Sequence, residues 1–354
     1  MEKKNNKYKF NTIANIKRSK INFGIEILRM ILCLWVIYFH FYKNKNRKYY
    51  KILNTFYHVP TFMIISFYLS NKLFSTLNII KIKQRIYRLL LPYLVLLIIK
   101  LLIDTFYFHY KSSFKEFIIK AFIDLLLQYM TGLRICLRFW DIQALIFLTI
   151  FFLIIFLIFK KNSYFILKFL QIIAYFFQYN EINYKVFSRF NNRYNIHLRI
   201  GAFIIEMVPI AVSGIIIAKM EILKKLFNHR IISIFFCFCY LFLIYNYNIY
   251  ASFKGFPYSG IENNSAGICI FISFSLIPFE KIKNNLFFTI IKQLTSYTGG
   301  IYYFHGIIGR LLINKIYFYK YDHINCFIIY IVCYIICMVG TIIFRKSIVK
   351  YLFN

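Results

Sequence analysis

Three ionisable side chains lie in an apolar segment near the N-terminus of this 354-residue chain, where such residues are costly. Glu26, Arg29 and His40 all fall within residues 21–41, which are long and apolar enough to cross a bilayer. On an ideal helix Arg29 and His40 share a face, about 20° and about 16 Å apart. Glu26 precedes Arg29 by three residues, so an ion pair between them is expected. His40 is the candidate for proton transfer, because an imidazole titrates near neutral pH.

A second histidine is expected near the first. Residues 55–75 form another apolar segment, which contains His58 and Ser66. If the N-terminus is cytoplasmic, His40 ends the first helix and His58 begins the second, so both lie near the non-cytoplasmic face. For His58, a histidine at the membrane interface without a chemical role is an equally good interpretation.

An arginine pair precedes the third apolar segment. Arg85 and Arg88 are three residues apart, so on a helical turn they present adjacent guanidinium groups suited to a phosphate. Two simpler interpretations stay open. The pair could be a positive-inside topology anchor, and Glu26 and Arg29 could extend towards the cytoplasmic interface with His40 at the opposite one.

Two further polar residues lie at membrane depth. Glu206 falls within the sixth apolar segment and His305 within the ninth. Carboxylates and histidines in such positions usually face a cavity or another polar group rather than lipid. With His58 and Ser66, they are candidates for lining a cavity.

The elements that must position these residues are transmembrane helices. The chain is 60% hydrophobic and 16% charged, which is typical of a polytopic membrane protein. We predict an all-α membrane helix bundle of about ten transmembrane helices. The ten apolar segments are 21–41, 55–75, 89–110, 139–159, 164–180, 201–218, 231–247, 264–279, 297–316 and 326–344.

One membrane domain is expected to fill the chain. We predict a basic cytoplasmic tail over residues 1–20, a transmembrane domain over 21–345 and a cytoplasmic tail over 346–354. A modest excess of Lys and Arg on the N-terminal side of the predicted topology favours this orientation. Residues 117–130 are predicted to form an interfacial amphipathic helix. The membrane is expected to be a plasma or inner membrane, or one of the secretory pathway.

Several function classes are disfavoured by the sequence. The formal charge is +33, but the basic residues are scattered over the loops, so nucleic-acid binding is not expected. Most of the eight cysteines lie in apolar segments without metal-ligand spacing, and no residue pattern requires a metal. The absence of a phosphate-binding loop motif argues against ATP-driven work.

The ordered motifs resemble the acyltransferase 3 family of integral-membrane, acyl-CoA-dependent O-acyltransferases. The resemblance extends from residue 22 to about residue 315. It is carried by the spacing of Arg29 and His40 and by HVPTFMIISFYLS, RIYRLLLPYL, FWDIQALIFL and GGIYYFHGIIGRLL. The Ser-Gly-Phe commonly found in helix two of the family reads Ser66, Phe67, Tyr68 here.

The resemblance implies a ten-helix acyltransferase. Such enzymes take an acyl group, commonly acetyl, from cytoplasmic acyl-CoA to a hydroxyl, usually of a carbohydrate or glycoconjugate at the far side. Acyl-CoA is then a co-substrate, and no bound cofactor is implied. The positions that match Arg29 and His40 are associated with catalysis, and those that match Arg85 and Arg88 with the acyl donor. Glu26 would hold Arg29.

Two other function classes stay open. In a secondary transporter or lipid flippase, the same intramembrane charges would form a proton relay. No inverted repeat is evident in the sequence, which weighs mildly against this class. A structural membrane subunit without turnover would leave the intramembrane Glu, Arg and His without a role.

Overall fold

The computed structural model shows a bundle of helices. It describes residues 22–42, 58–107, 140–179, 196–223, 230–254, 261–277, 285–315, 322–345, 347, 349, 350 and 353. These residues form α-helices and contain no strand, which confirms the predicted fold class. The helices are α1 (Phe23–Phe41), α2 (His58–Thr76), α3 (Ile79–Tyr107), α4 (Trp140–Phe159), α5 (Ser163–Tyr179), α6 (Ile196–Lys219), α7 (Arg230–Lys254), α8 (Ile261–Leu276), α9 (Asn285–Thr295), α10 (Thr298–Lys315) and α11 (Asp322–Ile343).

Three stretches of the described chain are long and apolar enough to cross a membrane. They are Phe23–Phe41, Ala144–Phe177 and His323–Ile343. Shorter apolar helical stretches occur in α6, α7, α8 and α9. Large hydrophobic side chains, among them Phe165 and Phe238, are exposed on the outside of the bundle. This is typical of residues that face lipid.

The apolar stretch Ala144–Phe177 is a hairpin of two helices. The hydroxyl of Ser163 donates a hydrogen bond of 3.3 Å to the carbonyl of Ile155, eight residues earlier. In a continuous helix these residues would be about 12 Å apart along the axis. The chain therefore reverses at the 3-10 turn Lys160–Asn162, where Lys160 has a φ of 42°. This confirms the prediction of two separate apolar segments here.

Two features differ from the predicted segments. The third segment was expected at 89–110, but α3 begins at Ile79, since Lys, Gln and Arg are good helix formers and continue the helix beyond the apolar run. The helix α9 has only 11 residues and was not predicted. It packs on α1 through Phe23 and Phe288, whose ring centroids are 4.2 Å apart. The predicted interfacial helix 117–130 lies outside the described residues.

The helix α1 lies between the two parts of the hydrophobic core. Leu28 and Leu32 belong to a cluster with residues of α2, α4, α6 and α8. Ile37 and Phe41 belong to a second cluster with residues of α10 and α11. Gly24 allows the close approach of α8, because a Cβ there would overlap the carbonyl of Phe274. A central position of this kind explains how α1 can present polar groups to several neighbours at once.

The helices α2 and α6 are also in close contact. A Cβ at Gly214 of α6 would lie 2.5 Å from the carbonyl oxygen of Ile64 and 3.0 Å from the amide nitrogen of Tyr68. The missing side chain therefore lets the backbones of α2 and α6 touch. This contact fixes the position of α2, which contributes a large part of the cavity described next.

Candidate active site

A cavity with apolar walls and several cationic side chains opens between five helices. Its volume is about 630 Å³, and its walls are formed by α1, α2, α3, α4 and α10. Arg29, Ser66, Arg85 and Arg88, four of the residues that the sequence singled out, line this cavity. A volume of this size is in the range of small-molecule and cofactor sites, which is about 300–1,000 Å³.

Arg29 connects α1 to α10. Its guanidinium lies 3.1 Å from the carboxylate of Glu26, which confirms the expected ion pair. It also donates a hydrogen bond of 2.8 Å to the hydroxyl of Thr298, at the start of α10. The Thr298 hydroxyl donates in turn to the carbonyl of Thr295. Arg29 is therefore held on both sides while it remains part of the cavity wall.

Arg85 is surrounded by hydroxyl groups. It donates hydrogen bonds to Ser70 at 2.5 Å, to Ser66 at 3.0 Å and to Thr149 at 3.2 Å. Its guanidinium carbon lies 5.3 Å from the ring centroid of Phe67. Within the described part of the chain, these contacts include no carboxylate. The described partners of Arg85 are neutral, so its guanidinium adds positive charge to the cavity, which favours the binding of anions.

Three further cations surround the same cavity. Lys81 and Arg88 are on α3 and Lys72 is on α2, and all three side chains are exposed. On an ideal helix, Lys81, Arg85 and Arg88 stand at positions i, i+4 and i+7, so they share one face over about 10 Å. Together with Arg85, they give the cavity a strongly positive wall.

A pair of histidines lies beyond this cavity. The rings of His40 and His305 are stacked with their centroids 5.2 Å apart and an angle of 29° between planes. His305 is 7% exposed, whereas His40, near the end of α1, is exposed. Neither lines the cavity, but Tyr302 does, and its ring centroid is 5.8 Å from that of His305. Tyr302 therefore stands between the cavity and the histidine pair.

The remaining predicted site residues lie in three different places. His58 is buried at the start of α2, and its ring centroid is 5.5 Å from that of Phe39, next to His40. Ser66 lines the cavity and accepts a hydrogen bond from Arg85. Glu206 lies in α6, and its side chain is outside the part of the structure that is described. His58 is not part of the cavity wall.

Several site residues were missed at the level of sequence. Thr298 and Thr149, which accept from the two arginines, each lie in or beside an apolar run and carry no distinguishing pattern. Ser70 could have been found, because it is four residues after Ser66 and therefore on the same helical face. Among the described residues, no group of three or more His, Cys, Asp or Glu could hold a metal ion.

The arrangement of these motifs agrees with a known family. The family model Acyl_transf_3, described as an acyltransferase domain, matches residues 22–346, which is nearly the whole chain. The chain belongs to the acyltransferase 3 family. It is therefore a membrane acyltransferase, and both the cavity and the histidine pair lie within the matched region. Neither the curated proteins nor the solved structures contain a match to this chain.

Proposed function

We propose that this acyltransferase moves an acyl group, acetyl in the simplest case, from cytoplasmic acyl-CoA to a hydroxyl. The hydroxyl belongs to a carbohydrate or glycoconjugate at the far side of the membrane. The observation that carries the proposal is one cavity with five cationic side chains in its wall. These are Arg29, Lys72, Lys81, Arg85 and Arg88.

The charge of the cavity supports a donor rich in phosphate. Arg88, Lys72 and Lys81 are exposed and can reach phosphate oxygens, and an arginine can hold a phosphate with two parallel hydrogen bonds. Arg85 lies deeper among hydroxyl groups, where it adds positive potential and can exchange one hydroxyl for a phosphate oxygen. Coenzyme A carries three phosphate groups, so it fits a site with several separate cations.

The acyl group would travel along α1. The donor arm enters the cavity past Arg29 and reaches the aromatic pair Phe62 and Tyr302, whose ring centroids are 5.2 Å apart. The pair of His40 and His305 lies beyond Tyr302. Arg29 and His40 are about 16 Å apart along the helix, so an extended arm is needed to connect the two ends.

His40 would act as the general base. It takes the proton of the acceptor hydroxyl as the oxygen attacks the thioester carbonyl carbon. A C–O bond forms, the C–S bond breaks, and the CoA thiolate receives the proton from His40. Arg29, oriented by Glu26 and Thr298, holds the donor arm in the position from which its thioester reaches His40.

Transfer of labelled acetyl groups tests the proposal. Membranes from cells that make the native acceptor receive labelled acetyl-CoA, and label in the glycoconjugate fraction is measured. We expect transfer by the wild type and a rise in the KM for acetyl-CoA of about 10- to 100-fold in Arg85→Ala plus Arg88→Ala. The control Lys160→Ala plus Lys161→Ala removes two exposed cations at the α4–α5 turn and should keep the wild-type KM.

Two results would contradict the proposal. One is the absence of label transfer by the wild type in membranes that contain the acceptor. The other is an equal rise in KM in the control variant, because the effect would then come from the general charge of the protein. Uptake of a labelled solute without acyl-CoA would favour a transporter instead.

A further inference from the structure

His305 is anchored to the backbone of its own helix. Its Nδ1 lies 2.5 Å from the carbonyl oxygen of Tyr302, one turn earlier in α10. A carbonyl oxygen can only accept a hydrogen bond, so Nδ1 carries the proton and donates it. This bond fixes both the tautomer and the orientation of the ring. Burial of the side chain, which is 7% exposed, restricts it further.

The fixed ring of His305 faces His40. The two rings are stacked, with their centroids 5.2 Å apart and an angle of 29° between their planes. A separation of this size is within the range of aromatic pairs in contact. Phe41 packs edge-on against His305, with ring centroids 6.4 Å apart. Contacts on several sides therefore restrict the ring of His305, whereas His40 is exposed and lies in the last turn of α1.

An exposed histidine near a helix end needs a support if it is to act as a base. Transfer rates are sensitive to the placement of the reacting groups, and a displacement of about 1 Å can cost about 100-fold in rate. His40 contacts the rings of Phe39 and Phe41, which belong to α1 itself. These two contacts therefore do not fix its ring relative to another helix. The contact with His305 ties its ring to a different helix, α10.

We propose that His305 is a positioning residue, whose backbone-anchored ring holds the imidazole of His40 in the orientation needed for proton transfer. The proposal rests on the proposed function for its catalytic consequence, but the positioning itself is a structural property. It assigns to His305 a role in which it touches neither the donor nor the acceptor. Activity should therefore depend on the ring face of His305. A phenylalanine ring at this position loses the Nδ1 bond but is still restricted by burial and by Phe41, so it should supply most of that face.

The first experiment measures how accessible the His40 ring is to a chemical reagent, and it does not depend on acyl transfer. Purified protein is treated with diethyl pyrocarbonate, and the carbethoxylation rate of His40 is followed by mass spectrometry of its peptide. We expect an increase of about threefold or more in His305→Ala, since one ring face is uncovered, and a rate near that of the wild type in His305→Phe. Phe304→Ala is the matched control, because Phe304 packs on Phe353 and lies on the same helix.

Equal rates for His40 in the wild type and His305→Ala would overturn the proposal. So would an equal increase in Phe304→Ala, since the effect would then reflect a general loosening of α10. Both results are informative even if no acyl transfer is detected, so a failure of the proposed function is distinguishable from a failure of this inference.

The second experiment measures acyl transfer. We expect His305→Ala to lower kcat by about tenfold or more and to leave the KM for acetyl-CoA unchanged, because the donor cavity does not include His305. His305→Phe should restore most of the lost kcat. A rise in KM with constant kcat, or a variant His305→Phe no better than His305→Ala, would contradict the positioning role.

Discussion

Replacement of the two arginines one at a time should separate their roles. Arg85 donates three hydrogen bonds that join α3 to α2 and α4, whereas Arg88 is exposed at the cavity. Hydrogen bonds between helices in membranes contribute about 0.6 kcal/mol each on average and up to about 1.7 kcal/mol. We therefore expect Arg85→Ala to lower the free energy of unfolding by about 2 kcal/mol, and Arg88→Ala by less than about 0.5 kcal/mol.

The buried cysteines provide the assay. Cys33 and Cys333 are buried and unbridged, so a maleimide dye reacts with them only when the bundle opens. Thermal unfolding in detergent, followed by this dye, should begin several degrees earlier in Arg85→Ala than in the wild type. Arg88→Ala should unfold like the wild type but bind acetyl-CoA more weakly. The exposed Cys237 and the half-buried Cys239 and Cys269 give a background of labelling, which their replacement by Ser lowers.

The reverse pattern would refute this reasoning. If Arg85→Ala unfolds at the wild-type temperature while Arg88→Ala is destabilised, the three hydroxyl contacts do not hold the helices together. Arg85→Lys is a useful second variant, because it keeps the charge but loses the planar group that reaches three hydroxyls. It should be destabilised nearly as much as Arg85→Ala.

Two further predictions concern the Glu26–Arg29 pair and the contact between α2 and α6. Glu26→Gln removes the charge that orients Arg29 but leaves the hydrogen bond to Thr298, so kcat should fall about threefold to tenfold with little change in folding, as measured by acetyl transfer and gel filtration. A wild-type kcat in Glu26→Gln would show that Thr298 alone orients Arg29. Gly214→Ala places a Cβ against the backbone of α2 and should strongly reduce the yield of monodisperse protein. A normal yield would mean that α2 and α6 can move apart without a loss of stability.

The fold was largely predictable from hydrophobicity. Ten apolar segments correspond to ten of the described helices, because lipid requires long apolar helices and such runs are visible in sequence. The 11-residue helix α9 was missed because it is too short to span, and the start of α3 was missed because Lys and Arg do not interrupt a helix. In both cases the hydrophobicity of the sequence indicated which residues are apolar, but not which residues are helical.

The candidate site was predictable where one helix supplies the geometry. The pairing of Glu26 with Arg29 follows from a spacing of three residues and is observed. The contacts that join different helices, such as Arg85 with Thr149 and His40 with His305, were not predictable, because spacing within one segment says nothing about neighbours. His58 was expected beside His40, and the described contact of His40 with a histidine of another helix is the stack on His305.

Acetyl transfer by His40→Ala is the most direct test of the proposed mechanism. Membranes with equal amounts of wild-type and variant protein receive labelled acetyl-CoA, and the initial rate of label transfer to the glycoconjugate acceptor is compared. We predict transfer by the wild type and a rate at least about 100-fold lower in His40→Ala, with unchanged binding of acetyl-CoA. Transfer by His40→Ala at a rate close to that of the wild type would contradict the mechanism.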